Sequence, residues 1–362
     1  MIVVIADDLT GAAELAGIAC SYGLQTELIM ETASPLPSCD VLVMATDMRS
    51  MTEPEAVACS RSLSASLAGS CVRLFKKTDS ALRGHIMAEL LAMLAVTSYD
   101  RVLFIPANPS KKRIIDQGVY YVDGKPISET AFSYDPEFPA FSSSVGERFP
   151  EAAALNVWIP DVTSKADIRA AIGHLTADTL LAGAADLFEV WLQGMGYTRQ
   201  RASRTETICL ENVLVVCGST QSRPTPPHIH ISPMPKEVYE DVAPADVWME
   251  QAVTTYEKNH TLALTIPHGH LTGREVAVRL RQVMADVVAE VVSMYHPSQL
   301  VIEGGATAYC CLKKLGWHAL QVKGEVSPGV VQMVAPAGTV VTLKPGSYEW
   351  GRFKIISSET SP

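Results

Sequence analysis

Short runs rich in Val, Ile and Leu recur along the first half of the chain, and the segments between them carry apolar residues at steps of three and four. The runs are Ile2–Ala6, Gln25–Met30, Val41–Ala45, Val72–Phe75, Arg101–Pro106 and Leu155–Pro160; the intervening helical periods are Gly11–Ser21, Glu53–Ala68 and Gly84–Ala95. Strands that alternate with helices imply βαβ units and a mainly parallel sheet. The first half therefore predicts a doubly wound, Rossmann-like α/β domain. Residues 106–148 break the rhythm with Asn108-Pro109, Asp123-Gly124, Pro126, Pro136 and Pro139, so a long irregular insertion with a hairpin at Tyr120–Lys125 is expected there.

At 362 residues the chain exceeds one domain of about 100–200 residues, and a second domain is expected. The polar, basic stretch Thr198–Thr207 lies between a predicted helix, Ala184–Gly196, and a predicted strand, Val213–Cys217. This places the boundary so that the domains are 1–205 and 206–362. The second reads as α/β as well: Leu262–Pro267, the helix Gly273–Tyr295, Leu300–Glu303, and closing strands near Ala319–Lys323 and Thr339–Lys344. Prolines at 224, 226, 227, 233 and 235 mark a loop inside it.

Composition removes several classes of partner. Apolar residues make up 48% and charged residues 19% of the chain, which suits a compact globular protein. The net charge of −10 comes with no Lys/Arg block, which argues against nucleic acid. Met1–Ile5 is apolar but Asp7 and Asp8 follow at once, too soon for a secretory core. No stretch approaches the roughly 20 apolar residues that span a bilayer. A cytoplasmic protein without a membrane partner is expected, and a homo-oligomer is compatible with the sequence. The eight cysteines, at 20, 39, 59, 71, 209, 217, 310 and 311, form no CxxC pair or zinc spacing, so they read as small buried hydrophobes, including the vicinal Cys310 and Cys311 in a helix. No side chains are assigned to a metal.

Polar chemistry gathers where strands hand over to helices. Asp7 and Asp8 follow the first strand, then Thr10-Gly11; ligands of doubly wound sheets bind at such strand ends. Asp8 or Thr10 could merely cap the helix, but two adjacent acids exceed what a cap needs, which favours function. As neighbours on extended backbone they are expected to point in opposite directions. A second cluster, Lys76-Lys77-Thr78-Asp79-Ser80-Ala81-Leu82-Arg83-Gly84, follows another strand and reads as a loop of cations, acid and hydroxyls. Arg49 comes after the third strand, and the insertion holds Asn108, Lys111, Lys112 and Arg113. Arg and Lys neutralise carboxylates or phosphates; the same residues also suit solvated loops.

In the second half, three glycine-bearing loops each follow an apolar strand: Gly218-Ser219, Gly304-Gly305-Ala306-Thr307 and Gly346-Ser347. Glycine lets a ligand approach the backbone, and N–H groups at a helix start attract phosphate. No GxxxxGK[ST] loop or protein-kinase signature is present.

The chain resembles the four-carbon acid sugar kinase family, long catalogued as a domain of unknown function. Three N-terminal motifs carry the resemblance: Ala6-Asp7-Asp8-Leu9-Thr10-Gly11-Ala12, Lys77 to Gly84, and Pro106-Ala107-Asn108-Pro109 leading to Gly118-Val119-Tyr120-Tyr121-Val122-Asp123-Gly124. The resemblance implies an N-terminal half that binds a sugar acid and a C-terminal half that binds ATP with Mg²⁺, with reaction in the cleft between them. It makes Asp8, Lys77 and Arg83 the catalytic candidates. Asp7, Arg49, Asp79, Ser80, Gly84, Asn108 and Arg113 become substrate contacts, and Ser219, Gly304, Gly305, Ala306, Thr307 and Gly346 nucleotide contacts. The chain departs from the family at Ala306, commonly acidic there, at Thr225 and His228 in the loop after Gly218-Ser219, and at Tyr348-Glu349-Trp350.

The reaction the resemblance implies is phosphoryl transfer to a hydroxyl, with Asp8 as base and Arg83, Lys77 and Arg49 holding the substrate carboxylate or absorbing charge. Two other readings stand beside it. An aspartyl-phosphate phosphatase also places an Asp after its first strand, although positions 9 and 10 here are Leu and Thr. A binding or regulatory protein derived from a kinase would keep the sugar-acid site and lose turnover.

Overall fold

The computed structural model describes residues 1–31, 35–135, 137–200, 207–209, 211–218, 229–267, 271, 273–346 and 354–356. The chain divides into two units, one made of 1–26 and 31–200, the other of 27–30 and 201–362. Both are α/β, and among the described residues no helix is long and apolar enough to cross a membrane.

In chain order the first unit holds β1 (Ile2–Ala6) and α1 (Leu9–Ser21). Next comes β2 (Thr26–Ile29), which falls almost wholly in the second unit. The first unit resumes with β3 (Val41–Ala45), α2 (Glu53–Leu67), β4 (Arg73–Lys77), α3 (Ile86–Leu94), β5 (Arg101–Ile105), β6 (Arg113–Asp116), β7 (Val119–Val122), β8 (Lys125–Pro126), α4 (Val145–Arg148), β9 (Val157–Trp158), α5 (Lys165–Ile172), β10 (Thr179–Gly183) and α6 (Ala185–Gly194). Strands β3, β1, β4, β10, β5 and β9 lie side by side in that order, and every pairing is parallel. From β1 the chain moves to β3 on one side and then back across to β4, so the sheet has a switch point at β1. Right-handed crossovers then send α1 to one face and α2 and α3 to the other, and the packing agrees: α1 touches α6, while α2 touches α3.

The apolar runs are strands because both their faces are covered. Every residue of β1 and β3 is buried. Helix α1 is Ala- and Gly-rich and buried around most of its circumference, since small side chains let it lie close to the sheet and to α6 at once. Helix α2 begins with a capping box, Thr52 and Glu55, which satisfies two N–H groups that a helix start leaves open. The insertion is more ordered than its prolines suggest: β6, β7 and β8 form an antiparallel sheet whose β7–β8 turn is Asp123-Gly124.

The second unit adds β11 (Thr207–Cys209), β12 (Val213–Cys217), β13 (His230–Pro233), α7 (Lys236–Tyr239), α8 (Asp246–Asn259), β14 (Thr261–Thr265), α9 (Arg274–Tyr295), β15 (Gln299–Glu303), α10 (Gly305–Lys314), β16 (Ala319–Ser327), β17 (Val330–Val334), β18 (Val340–Lys344) and β19 (Lys354–Ile356). Its sheet runs β13-β14-β12-β15-β18-β17-β16-β2. The first five strands are parallel, and the last three join antiparallel. β11 and β19 pair separately. Cys310 and Cys311 sit in α10; Cys311 is buried, but Cys310 is half-buried with its thiol directed to Gln282, and Cys71 is exposed, so the cysteines are not uniformly buried hydrophobes.

Several elements differ from the sequence expectation. β10, β13, β17 and α8 were not foreseen. The strand expected at Leu155–Pro160 is only Val157–Trp158, and β4 runs to Lys77, so Lys76 and Lys77 are strand residues and not part of a loop.

Candidate active site

Parallel register brings the ends of β1, β3 and β4 level, with Ala6 opposite Ala45 on one side and Lys77 on the other. The segments that follow these strands hold Asp7-Asp8, Arg49 and Thr78-Asp79, so they meet at the switch point of the sheet, where doubly wound folds bind ligands.

Arg49 is the centre of this cluster. It is presented by a short 3-10 turn, Met48–Ser50, after Asp47 adopts a left-handed conformation at φ 56°. Its Nε and Nη2 donate to Asp7 Oδ2 at 2.9 and 2.8 Å, and its Nη1 donates to Asp8 Oδ2 at 3.2 Å. Nη2 lies 3.1 Å from Asp8 Oδ1 and 3.6 Å from Asp79 Oδ1. Burial works to lower the Arg49 pKa, but Asp7, Asp8 and Asp79 outweigh it and hold the guanidinium well above its ordinary value.

Asp7 and Asp8 therefore converge on one partner, contrary to the expectation that they point apart. The reason is local: Asp8 has left the strand and is the N-cap of α1, its Oδ1 accepting the Gly11 N–H at 2.9 Å. Thr10 and Gly11 consequently lie in the first helical turn, not in a turn before it. Asp7 is buried beneath Arg49, its side chain 3% exposed, whereas Asp8 is 20% exposed. Of the two, Asp8 is the more exposed to solvent.

Asp79 is tied from two sides. Its Oδ2 accepts from the backbone N–H of Ala81 and from Arg83 Nε at 3.0 and 2.8 Å, and its Oδ1 accepts from Arg83 Nη2 at 3.1 Å. Burial raises its pKa, but Arg49, Arg83 and Lys77 more than offset this and leave it far below the usual carboxylate range. Arg83 also lies 3.5 Å from Asp135, and its guanidinium sits over the Phe132 ring. Gly84 turns the chain toward α3 at φ 97°.

Lys77 is buried and donates to the Thr78 carbonyl at 2.7 Å. A β-carbon on Gly11 would lie 2.9 Å from the Lys77 Nζ and 2.7 Å from Asp8 Oδ1, so both groups border the first turn of α1 without pairing directly. Lys76 points to the opposite face of the strand, where it pairs with Glu89 of α3; both side chains are 1% exposed. Arg113 donates to Ser80 Oγ and stacks over Phe132. Asn108 is buried and exchanges backbone hydrogen bonds with Arg113 at 2.8 and 3.2 Å. Lys111 pairs with Glu14 of α1, and Lys112 takes a left-handed conformation behind it.

The charges of this cluster largely cancel within it. Arg49 and Arg83 hold Asp7, Asp8, Asp79 and Asp135, while Lys77 and Arg113 donate to a carbonyl and a hydroxyl. Sequence reasoning set Lys77 and Arg83 as catalytic candidates and Arg49 as a substrate contact without their pairing, because a motif names residues and not the partners they have already found.

In the second unit, register sets Cys217, Glu303 and Lys344 side by side at the ends of β12, β15 and β18. The glycine loops start from these positions. Gly304 caps α10 at φ 96°, and its N–H donates to the Lys344 carbonyl at 3.0 Å; Gly218 N–H donates to the Glu303 carbonyl at 3.3 Å. Beneath them Lys344 Nζ and Glu303 Oε1 form an ion pair of 2.6 Å with both side chains fully buried. Burial, with Glu303 adding to it, pushes the Cys217 thiol up to about 12. Gly305 and Gly346 are half-buried and Ala306 is exposed. Thr307 is buried, and a β-carbon on Gly218 would lie 2.1 Å from its hydroxyl, so its side chain packs against the neighbouring loop. Ser219, Ser347, Thr225, His228 and residues 348–350 lie outside the described residues.

Comparison with known proteins bears on both units. The family model of a sugar-binding N-terminal domain matches residues 2–188, and that of a nucleotide-binding C-terminal domain matches residues 237–348. The chain is 27% identical to a D-threonate kinase of Bordetella bronchiseptica, over 93% of this chain and 89% of that one. It is 34% identical to a D-threonate kinase of Salmonella typhimurium and 31% identical to a D-erythronate kinase of Heliobacterium modesticaldum; each match covers 40% of this chain and 35% of the relative. Among solved structures, a Haemophilus influenzae protein of the DUF1537 family superposes with a TM-score of 0.71 at 19% identity, covering 96% of this chain and 97% of that one. A Salmonella typhimurium protein described as a putative tRNA synthase gives 0.75 at 18% identity, covering 96% of each chain; at such identities the likeness is one of fold.

Proposed function

The chain belongs to the four-carbon acid sugar kinase family, and from that premise we propose that it transfers the terminal phosphoryl group of ATP to a hydroxyl of a threonate-, erythronate- or 3-oxo-tetronate-type acid. The observation that carries this reading is the convergence of Asp8, Arg49, Lys77 and Asp79 at the level ends of three adjacent parallel strands.

Within that cluster Asp8 is suited to be the base. Its Oδ1 is occupied by Gly11 N–H and Arg49, whereas Oδ2 accepts only Arg49 Nη1 among the described contacts, and a carboxylate oxygen has a further lone pair. The acceptor hydroxyl would give its proton to Oδ2 as its oxygen bonds to the γ-phosphorus. The bond from that phosphorus to the bridging oxygen breaks, and ADP leaves with the electron pair. Lys77, across the first turn of α1 from Asp8, and Arg113 would meet the substrate carboxylate or the transferred oxygens, with Arg83 and Arg49 holding the carboxylates in place.

The three glycine loops fit nucleotide phosphates. They start at adjacent strand ends, and one opens the ten-residue helix α10, whose N-terminal N–H groups favour anions. Gly305 and Gly346 would hold ATP there by backbone, and Gly304, whose N–H is engaged by the Lys344 carbonyl, would shape the turn without a side chain in the way. Mg²⁺ would enter on the phosphates, as this ion usually does; among the described residues no three acidic, His or Cys side chains gather to hold it.

The test is a coupled ADP-release assay over a panel of four-carbon sugar acids and the matching neutral polyols. Turnover of one or more acids, with polyols slower by at least about tenfold, is expected, since a cation left without its anion is costly. Equal turnover of threitol and threonate would refute the acid-reading site, and no ADP release with any acid would refute the kinase.

A further inference from the structure

The geometry points to a part of the site that no motif covers: the junction of β10 and α6, where Asp186 is a positioning residue that holds the substrate loop 108–113 in shape. This rests on the sugar-acid reading above for its consequence in turnover, though not for its geometry.

Strand β10 lies between β4 and β5, with Gly183 opposite both Lys77 and Ile105. Its end is bonded to the loop after β4 and to the last residue of β5. The Gly183 carbonyl accepts the Thr78 N–H at 3.1 Å, next to Asp79, and the Ala184 N–H donates to the Ile105 carbonyl at 3.0 Å. The approach is so close that a β-carbon on Gly183 would lie 2.0 Å from the Ile105 oxygen, which leaves room for no other residue.

Asp186 follows in the first turn of α6, 3% exposed. Its Oδ2 accepts the backbone N–H of Ser110 at 2.7 Å, and its Oδ1 lies 3.0 Å from Lys165 Nζ on α5. Lys165 also pairs with Glu189, and Glu189 accepts from the Tyr22 hydroxyl at 2.9 Å. The carboxylate is thus held from behind by two helices and reaches forward to one amide. That amide belongs to a tight loop: Asn108 and Arg113 bond to each other through backbone, and Lys111 N–H closes on the Asn108 carbonyl at 2.8 Å. Fixing Ser110 therefore fixes Asn108 and Arg113, the latter being the guanidinium that reaches Ser80.

The experiment uses the full chain carrying Asp186→Ala, the milder Asp186→Ser, Asp186→Asn, and Arg199→Met, which removes a charge near Glu189 without touching Asp186. Hydrogen exchange of the peptide covering 106–113 is measured beside steady-state kinetics. Alanine and serine are too short to reach Ser110, so exchange there should rise about tenfold or more as the bond opens. KM for the sugar acid should rise about ten- to a hundredfold, the worth of a hydrogen bond to a charged group, while KM for ATP stays unchanged. Asn keeps an acceptor oxygen and should restore most of both; Arg199→Met should match the wild type. Wild-type protection of 106–113 in the alanine or serine variant overturns the proposal, as does an equal rise in both KM values or an Asn variant as impaired as Ala. If the wild type phosphorylates no sugar acid, the kinase reading fails, and the exchange data still judge whether Asp186 anchors the loop.

Discussion

Asp8→Asn exchanges one carboxylate oxygen for an amide nitrogen at constant volume, and the structure states what each oxygen does. The amide oxygen can keep the Gly11 N–H bond of Oδ1, so the cap survives. The amide nitrogen then faces Arg49 Nη1, donor against donor, and one charge-assisted bond of 3.2 Å is lost. Such a bond is worth roughly 1.5–3 kcal/mol, and the paired Arg49–Asp7 bonds at 2.8 and 2.9 Å remain to limit the damage. For a unit of this size that is a Tm decrease of about 3–12 °C, and the protein stays folded at assay temperature. Loss of a general base, by contrast, should lower kcat by about 10²–10⁴, or roughly 3–5 kcal/mol of barrier. Asp8→Ala removes the cap as well, at about 1 kcal/mol more. The two variants should therefore lose rate equally if Asp8 is the base, whereas a mere cap would make Ala worse than Asn. Coupled ADP release and calorimetric melting are measured on the same preparations. Asp7→Asn is no control, because Asp7 shares Arg49; Asp135→Asn, whose amide oxygen can keep the Glu137 and Phe138 N–H bonds of Oδ1 while the Arg83 contact at 3.5 Å loses its charge, serves instead. An Asn variant retaining more than about a tenth of the wild-type rate would refute Asp8 as base.

Gly305→Val, at the first residue of α10, should weaken ATP binding by about tenfold or more by blocking backbone approach and leave sugar-acid binding unchanged in calorimetry. Lys344→Met strands the fully buried Glu303 carboxylate and should cost about 3–5 kcal/mol in denaturant unfolding, with much of it restored in the Glu303→Gln, Lys344→Met double variant. Asp79, whose folded-state pKa is depressed, adds stability above about pH 4, its unfolded value, and loses it as pH falls toward the folded one. Urea midpoints should accordingly fall steeply with acid below about pH 4 in the wild type and less steeply in Asp79→Asn; parallel curves would contradict the assignment.

Strands β1, β3 and β5 were legible because burial on both faces forces apolar runs, whereas β4 was legible only up to Leu74-Phe75, since its last two residues are the buried Lys76 and Lys77. β10 was not, since Leu180, Leu181 and Ala182 are helix formers that run on into Ala184 and Ala185; only its place between two strands makes it extended. β13 was masked by Pro233, which an edge strand tolerates. The acids and cations at the strand ends could be named from motifs, but their pairing could not, because Arg49, Asp8 and Asp79 meet only through register. Asp186, Lys165 and Glu89 sit on helices with no local signature, so nothing in the chain singles them out before it folds.

Strand β2 has a consequence for the order in which the protein is made. It emerges among the first thirty residues, yet its antiparallel partner in the second unit is β16, Ile29 lying opposite Ala319. At about 5–20 residues per second a ribosome needs roughly 15–60 seconds to supply that partner. During that interval Thr26–Ile29 cannot make its pairing with β16 while the strands around it in sequence already can, a delay of the kind that long-range pairing imposes on folding. A gene fragment opening at residue 201 would meet the converse problem: it would lack β2 and present β16 as a bare sheet edge, inviting association between copies. Cutting this protein in two for separate expression therefore calls for grafting residues 26–30 onto the second piece.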